Sequence, residues 1–355
     1  MSNSIHNFAS SDSQRPVGAI TNRPLLELRN LSTHYVSAQG SRVVRAVDDV
    51  TLTINAGETL GIVGESGSGK STLALTILRV LPPAARIVSG QMVFEGEDLV
   101  QKSDAEMRQV RGKRIAMILQ DPMASLNPLF TVGDQVAEPI RVHEGVPRAT
   151  AWRRAVGLLK AVRIASPETR VRQHPHEMSG GMRQRIVGAI GISCEPRLLI
   201  ADEPTTSLDL TIQAQYLNLL RELQREHGLA LIFITHNLGI VAKMCDQLAV
   251  MYAGRVVESG PVSRVFNTPA HPYTKALLNS IPRMGDNRER LTAIEGQPPN
   301  LASLPPGCAF APRCPVAFDR CYAEAPPSMD VGIGRTARCW LAMPAAAAAL
   351  PAGAV

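Results

Sequence analysis

The residues of this chain best suited to chemistry are suited to handling phosphate. Gly64-Glu65-Ser66-Gly67-Ser68-Gly69-Lys70-Ser71 fits the phosphate-binding pattern Gly-x-x-x-x-Gly-Lys-Ser, and the apolar run Thr59–Val63 precedes it. Glycines at such spacing let backbone N–H groups turn inward around an anion. The helix that follows adds the positive end of its dipole, and Lys70 brings a point charge to the β/γ-phosphates. Ser71 is left to ligate magnesium, and Thr72 continues the binding segment. Further along, Arg197-Leu-Leu-Ile-Ala-Asp-Glu-Pro204 delivers two adjacent carboxylates, Asp202 and Glu203, at the end of an apolar run. Buried charges of that kind need a cation or a catalytic task.

Three other positions repeat the theme of a polar group at the end of a core element. Gln120 ends the run Arg114–Leu119, where open α/β sheets place ligand contacts; a strand simply ending in a loop would read the same. His236 follows Leu229–Thr235, either as a ligand contact or as a cap for the helix starting at Asn237. Ser179-Gly180-Gly181 lies in the stretch His176–Arg185 that runs into a helix over Ile186–Ser193. It is an anion-binding helix start or an ordinary cap. Tyr35, upstream of the phosphate loop, is either a strand aromatic or a platform for a purine ring.

Elements to hold these groups are legible around them. Leu25–Leu31 alternates as a strand, and Val43–Ile54 is a second strand closing at Asn55-Ala56-Gly57. A helix is expected over Lys70–Leu81, stopped by Pro82-Pro83, and strands over Ser89–Phe94, Arg114–Leu119, Leu229–Thr235, Leu248–Tyr252 and Arg255–Glu258. From Gly133 to about Arg172 the apolar spacing is helical, which predicts an inserted helical subdomain. After Gly260-Pro261 the chain turns Pro-rich. One helix is expected over His271–Ile281, followed by a loop-rich segment holding Cys308, Cys314, Cys321 and Cys339.

Composition narrows the class. With 355 residues the chain allows two or three domains. Its longest apolar runs are strand-sized, well short of the roughly 18 to 20 residues of a membrane span, and the polar N-terminus does not read as a secretory signal. A cytosolic protein is expected. The net charge of +6 is dispersed with no Lys/Arg block, so no nucleic-acid partner is expected. Cys194 and Cys245 read as small core residues, whereas four cysteines near the end of a cytosolic chain suggest metal before disulfides. Their spacings of five, six and seventeen residues lack a C-x-x-C pair, and four thiolates suit zinc or an iron–sulfur cluster alike; unligated thiols are the third alternative.

Taken in this order, the motifs resemble those of an ATP-binding subunit of an ABC transporter. Gln120–Pro128, Met178–Arg185, His271–Ala276 and the Cys-rich segment are similar to the oligopeptide/dipeptide (and nickel) importer branch. The resemblance implies an α/β fold: a P-loop NTPase core with an antiparallel β subdomain, an inserted α-helical subdomain and a C-terminal Cys-containing extension. It divides the chain into a disordered segment 1–23, an ATPase domain 24–260 with a helical insert at about 121–195, an extension 261–341 and a disordered tail 342–355.

By the same resemblance, Gly64–Thr72 and Tyr35 bind ATP, while Ser71, Gln120 and Asp202 position Mg2+. Glu203 activates water, Gln120 senses the γ-phosphate and His236 hydrogen-bonds it. Ser179, Gly180, Gly181 and Met182 form a signature serving an opposing subunit's nucleotide, with Met182 replacing the usual Gln. Ser207, Leu208 and Asp209 form the D-loop. A 4Fe-4S cluster on the four cysteines is also implied. The expected partners are a second, related ATPase subunit, two membrane-spanning permease subunits and an extracytoplasmic solute-binding protein, with the chain peripheral at the cytoplasmic face of the plasma membrane. Uptake of di- or oligopeptides is the implied function. Nickel complexes or glutathione are alternative solutes, and a soluble non-transport ABC ATPase or a nucleotide-binding module without turnover are alternative classes.

Overall fold

A computed structural model describes residues 23–37, 42–206, 208–280, 294–332 and 334–343. The expected disordered ends lie outside these residues, apart from Arg23, Ala342 and Met343; Ser207 lies outside them as well.

Twelve strands among the described residues form two sheets. The first contains β1 (Leu26–Val36), β2 (Val43–Ile54), β4 (Ala85–Phe94) and β5 (Glu97–Asp98), all antiparallel in the order β2-β1-β4-β5. The second is built on β3 (Thr59–Val63), β6 (Ile115–Ile118), β7 (Leu198–Asp202), β8 (Ala230–Ile234) and β9 (Gln247–Tyr252), which run parallel in the order β9-β3-β8-β7-β6. Antiparallel strands β10 (Arg255–Pro261), β12 (Thr336–Ala337) and β11 (Met329–Asp330) continue it beyond β9.

Alternation along the parallel strands explains why both faces are apolar. In β7, Leu198 and Ile200 join a core with the antiparallel sheet and α1 (Lys70–Leu78), while Leu199 and Ala201 face the helical layer. Residues Ala230, Ile232 and Ile234 of β8 take the first side, and Leu231 and Phe233 the second. A parallel strand buried on both faces must read as a continuous apolar run, as these do.

Helix α2 (Asp104–Val110) comes just before β6, and between β6 and β7 the chain forms α3 (Pro122–Ser125), α4 (Val132–Glu144), α5 (Arg148–Ala161), α6 (Pro167–Arg170) and α7 (Gly180–Ile192). Val136 and Ile140 of α4 and Ala155 and Leu159 of α5 pack with Ile186 and Ala189 of α7. Helices α8 (Leu210–His227) and α9 (Leu238–Met244) complete the crossovers. Several boundaries differ from the expected ones, and for two helices the local cause is clear. The first helix stops at Leu78 because Arg79 takes a left-handed conformation, φ 52°, and its N–H closes on Leu75 O and Thr76 O. The helix expected over Ile186–Ser193 starts already at Gly180, with Ser179 Oγ accepting from Met182 N at 3.3 Å as its N-cap.

After α10 (Val262–Asn267) and α11 (Pro272–Asn279), the Cys-bearing segment contains α12 (Asp319–Ala323) and, unforeseen, two short strands. β12 pairs with β10 through Glu258/Ala337 and Ser259/Thr336, so the end of the chain extends the main sheet. His271 is buried at the start of α11, where its Nδ1 accepts from Tyr273 N at 3.0 Å. The Glu258 carboxylate accepts the backbone N–H groups of Ala270 and His271.

Burial lowers the His271 pKa to about 4. A histidine held neutral in the fold gives stability that is complete above its unfolded pKa, near 6.5, and lost as pH falls toward 4. Denaturant titrations at stepped pH are expected to lose about 3 kcal/mol over that window through His271 alone. Substitution His271→Asn keeps a capping acceptor and should remove this part of the slope; an unchanged slope would reject the assignment.

Candidate functional site

The carboxyl ends of β3, β6, β7 and β8 lie side by side and open into one cleft of about 570 Å3, a size suited to a small-molecule ligand. Gly64, Ser66, Gly67, Gly69, Lys70, Ser71 and Thr72 line it from the phosphate loop, Gln120 from the end of β6, Glu203 from β7 and His236 from β8. Tyr35 closes one side, half-buried, with its hydroxyl 3.4 Å from Thr72 Oγ1.

The loop can follow its path only with glycine at its end. Gly69 has φ 102°, and a Cβ there would stand 2.1 Å from Ala46 O. Lys70, next in the chain and 7% exposed, turns its ammonium back into the loop and donates to Gly64 O at 2.8 Å and Glu65 O at 3.0 Å. Ser68 is buried within the same turn.

Two charges, Lys70 in the cleft and Asp202 buried at the end of β7, are held in tension. Burial pulls the Lys70 ammonium below its ordinary pKa, opposed by the carboxylates of Glu203, Asp202 and Glu65. Burial likewise raises Asp202, opposed by the Ser71 hydroxyl and Lys70 and reinforced by Glu203. Asp202 Oδ1 is buried without a hydrogen-bond partner. An orphaned carboxylate oxygen beside a serine hydroxyl is a hard-oxygen donor set, and it fits Mg2+.

Glu203 is positioned differently. It sits at φ 45°, a left-handed conformation rare for a side chain of its size, with its N–H donating to Ile234 O at 2.9 Å. This turn swings its carboxylate out of the β7 direction. Gln120 Nε2 donates to Oε2 at 3.1 Å, Thr206 Oγ1 donates to the same oxygen at 3.0 Å, and His236 Nδ1 lies 3.3 Å from Oε1. Three side chains from three elements thus orient one carboxylate.

Not every expected residue meets here. Ser179, Gly180, Gly181 and Met182 do not line the cleft; Ser179 and Gly180 stand exposed at the start of α7. Asp209 caps α8, accepting from Thr211 N and Ile212 N, with half-buried Leu208 just before it. Conversely, the reading of the residues missed Thr206, Val44, Ala46 and Leu301. Thr206, three residues after Glu203, carried a faint signal; Leu301 arrives from the C-terminal segment, its carbonyl accepting from Arg45 N, and carried none.

The four C-terminal cysteines share a second cavity of about 20 Å3, room for roughly one water. Among the described residues no group of three or more His, Cys, Asp or Glu is arranged to hold a metal ion. Burial raises the thiol pKa of Cys308 and Cys314 and pushes that of Cys339 up to about 11. The expected 4Fe-4S site is therefore not supported among the described residues, although the four thiols line one cavity. No helix among the described residues is long and apolar enough to cross a membrane.

Residues 47–206 match the family described as ABC transporter, and residues 257–321 the one described as Oligopeptide/dipeptide transporter, C-terminal region. The oligopeptide transport ATP-binding protein OppD of Haemophilus influenzae is 48% identical over 318 residues, covering 90% of this chain and 97% of that protein. The dipeptide transport ATP-binding protein DppD of Escherichia coli is 46% identical over 315 residues, covering 89% and 96%. Among solved structures, a dimeric post-hydrolysis state of the ATP-binding cassette MJ0796 bound to ADP and Pi is similar with a TM-score of 0.60. It is 25% identical, and the match covers 67% of this chain and 98% of that one.

Proposed function

The chain belongs to the ATP-binding subunits of ABC transporters, in their oligopeptide/dipeptide branch, and from that premise we propose that it hydrolyses ATP to power peptide uptake through a membrane complex. The observation that carries this reading is the cleft in which a phosphate loop, Glu203, Gln120 and His236 meet at the ends of four parallel strands, with Asp202 buried at the end of β7 just before Glu203.

The loop amides and Lys70 hold the phosphates, and the ring of Tyr35 supports the adenine. Ser71, Asp202 and Gln120 are the residues that would hold Mg2+. When bound, the ion neutralises charge on the phosphate oxygens. Glu203 accepts the proton of the attacking water, and Gln120, Thr206 and His236 keep its carboxylate aimed. His236 then donates toward the γ-phosphate. Phosphoryl transfer asks little covalent chemistry of a protein, so this positioning supplies most of the acceleration.

Ser179–Met182 and the 207–209 segment serve the nucleotide of an opposing ATPase subunit, a related but different chain, so that catalysis is completed on closure. Support comes from Ser179, Gly180 and Asp209, which are exposed and do not line the chain's own cleft. Just after Gln120, the side chains of Met123, Leu129 and Phe130 are 59%, 82% and 53% exposed, an apolar surface suited to a cytoplasmic helix of a permease subunit. Two permeases and an extracytoplasmic solute-binding protein complete the machine, with this chain peripheral at the cytoplasmic face of the plasma membrane. Residues 24–260 act as the ATPase domain, with the helical insert at about 121–195 and the extension over 261–341.

Uptake of labelled solutes in a strain lacking the chain tests the reading. Complementation by the native chain is expected to restore di- or oligopeptide uptake. Recovery of nickel complexes or glutathione alone would reassign the solute, and recovery of none would remove the transport role.

A further inference from the structure

We infer that Arg313, in the C-terminal extension, is a positioning residue for nucleotide: its pairing with Glu65 neutralises a carboxylate inside the phosphate loop and fixes the loop backbone, so that ATP affinity depends on the extension. The inference rests on the nucleotide-binding reading of the cleft and goes beyond it.

Glu65 is the second residue of the loop, and an unpaired carboxylate there would oppose the arrival of a polyanion. Arg313 meets it in a two-bond fork, Nη1 to Oε2 at 2.7 Å and Nη2 to Oε1 at 3.0 Å. The remaining guanidinium donors are also used. Nη1 reaches the Tyr252 hydroxyl at 3.2 Å, Nη2 reaches Ile294 O at 3.2 Å and Nε reaches Glu295 O at 2.9 Å, so all five N–H groups have a partner. The Arg313 side chain is 4% exposed, and its guanidinium lies over the rings of Tyr252 and Phe310.

A second contact from the same region holds the loop backbone. The Tyr273 hydroxyl, on α11, accepts the Glu65 N–H at 2.9 Å, while the Glu65 carbonyl accepts from Lys70. Each polar group of Glu65 is therefore engaged, and the extension supplies the partners of its N–H and its carboxylate. The loop that would cradle the phosphates is clamped from a segment some 250 residues away in sequence, a separation of 248 between Glu65 and Arg313. A plain anchor for the extension would need the ion pair but not its effect on nucleotide. The two roles separate by charge.

The test is a double-mutant cycle on the full chain, with Mg-ATP affinity measured by calorimetry and KM and kcat measured in the assembled transporter. Substitution Arg313→Ala is expected to weaken Mg-ATP binding about tenfold or more and to raise KM correspondingly, with kcat at saturating ATP moving less than about threefold. The double variant Arg313→Ala with Glu65→Gln removes the stranded carboxylate and is expected to return affinity to within about threefold of the native chain. If Arg313→Ala does not fold, Arg313→Gln, closer in volume, takes its place in the same cycle. Native affinity in the single variant, or a double variant as weak as the single one, would overturn the inference and leave Arg313 as an anchor. Failure of the native chain to bind Mg-ATP would instead overturn the nucleotide reading.

Discussion

Glu203→Gln is expected to reduce kcat by at least about 100-fold while leaving Mg-ATP binding close to native. Glutamine has the same length and can keep contact with Gln120, Thr206 and His236, the three groups now gathered on the carboxylate. It can also occupy the left-handed turn at about the same cost as glutamate, so the β7 end and its hydrogen bond to Ile234 should persist. What is lost is the negative oxygen that takes a proton. The measurement is phosphate release by the assembled transporter beside nucleotide affinity of the same preparation. Native turnover in this variant would remove Glu203 from the reaction.

The second large effect falls on binding. Lys70→Ala should weaken Mg-ATP by about 2 to 5 kcal/mol, the range for a desolvated charge pair that loses one partner. Lys70 already lies inside the loop with its ammonium on Gly64 O and Glu65 O, so the cation is preorganised and its removal also loosens the turn. Asp202 would lose the opposing charge that now restrains its upward shift. Equilibrium binding of Mg-ATP to the full chain reads the loss, and an affinity within about threefold of native would contradict it.

The parallel strands and the groups at their ends were legible in the residues for one reason. A run such as Leu198–Ala201 is apolar on both faces, and the polar residue that follows marks where the strand leaves the core. Gln120, Glu203 and His236 were all found by that rule. Their mutual contact was not, because it depends on the backbone turn at Glu203 and on the order β8-β7-β6, neither of which is written locally.

Leu301 and Arg313 were invisible because each acts through a partner distant in sequence, and Thr206 carried only a faint signal because its contact depends on the turn at Glu203. Strands of two residues, such as β11 and β12, are too short to carry an alternation. The cysteines are a different case. Their clustering in sequence does become clustering in space, yet the small cavity they enclose does not follow from spacing.

The pairing of β12 with β10 bears on how the molecule comes to be made. A ribosome releases β10 some 75 residues before the strand that covers its edge, 336 against 261, and during that interval the sheet offers unpaired N–H and C=O groups to any neighbouring chain. A fragment cut at residue 260 would keep that edge bare permanently and would strip Glu258 of the two amides that satisfy its carboxylate. The ATPase portion is thus expected to aggregate more than the full chain when produced alone, which light scattering of the two would read.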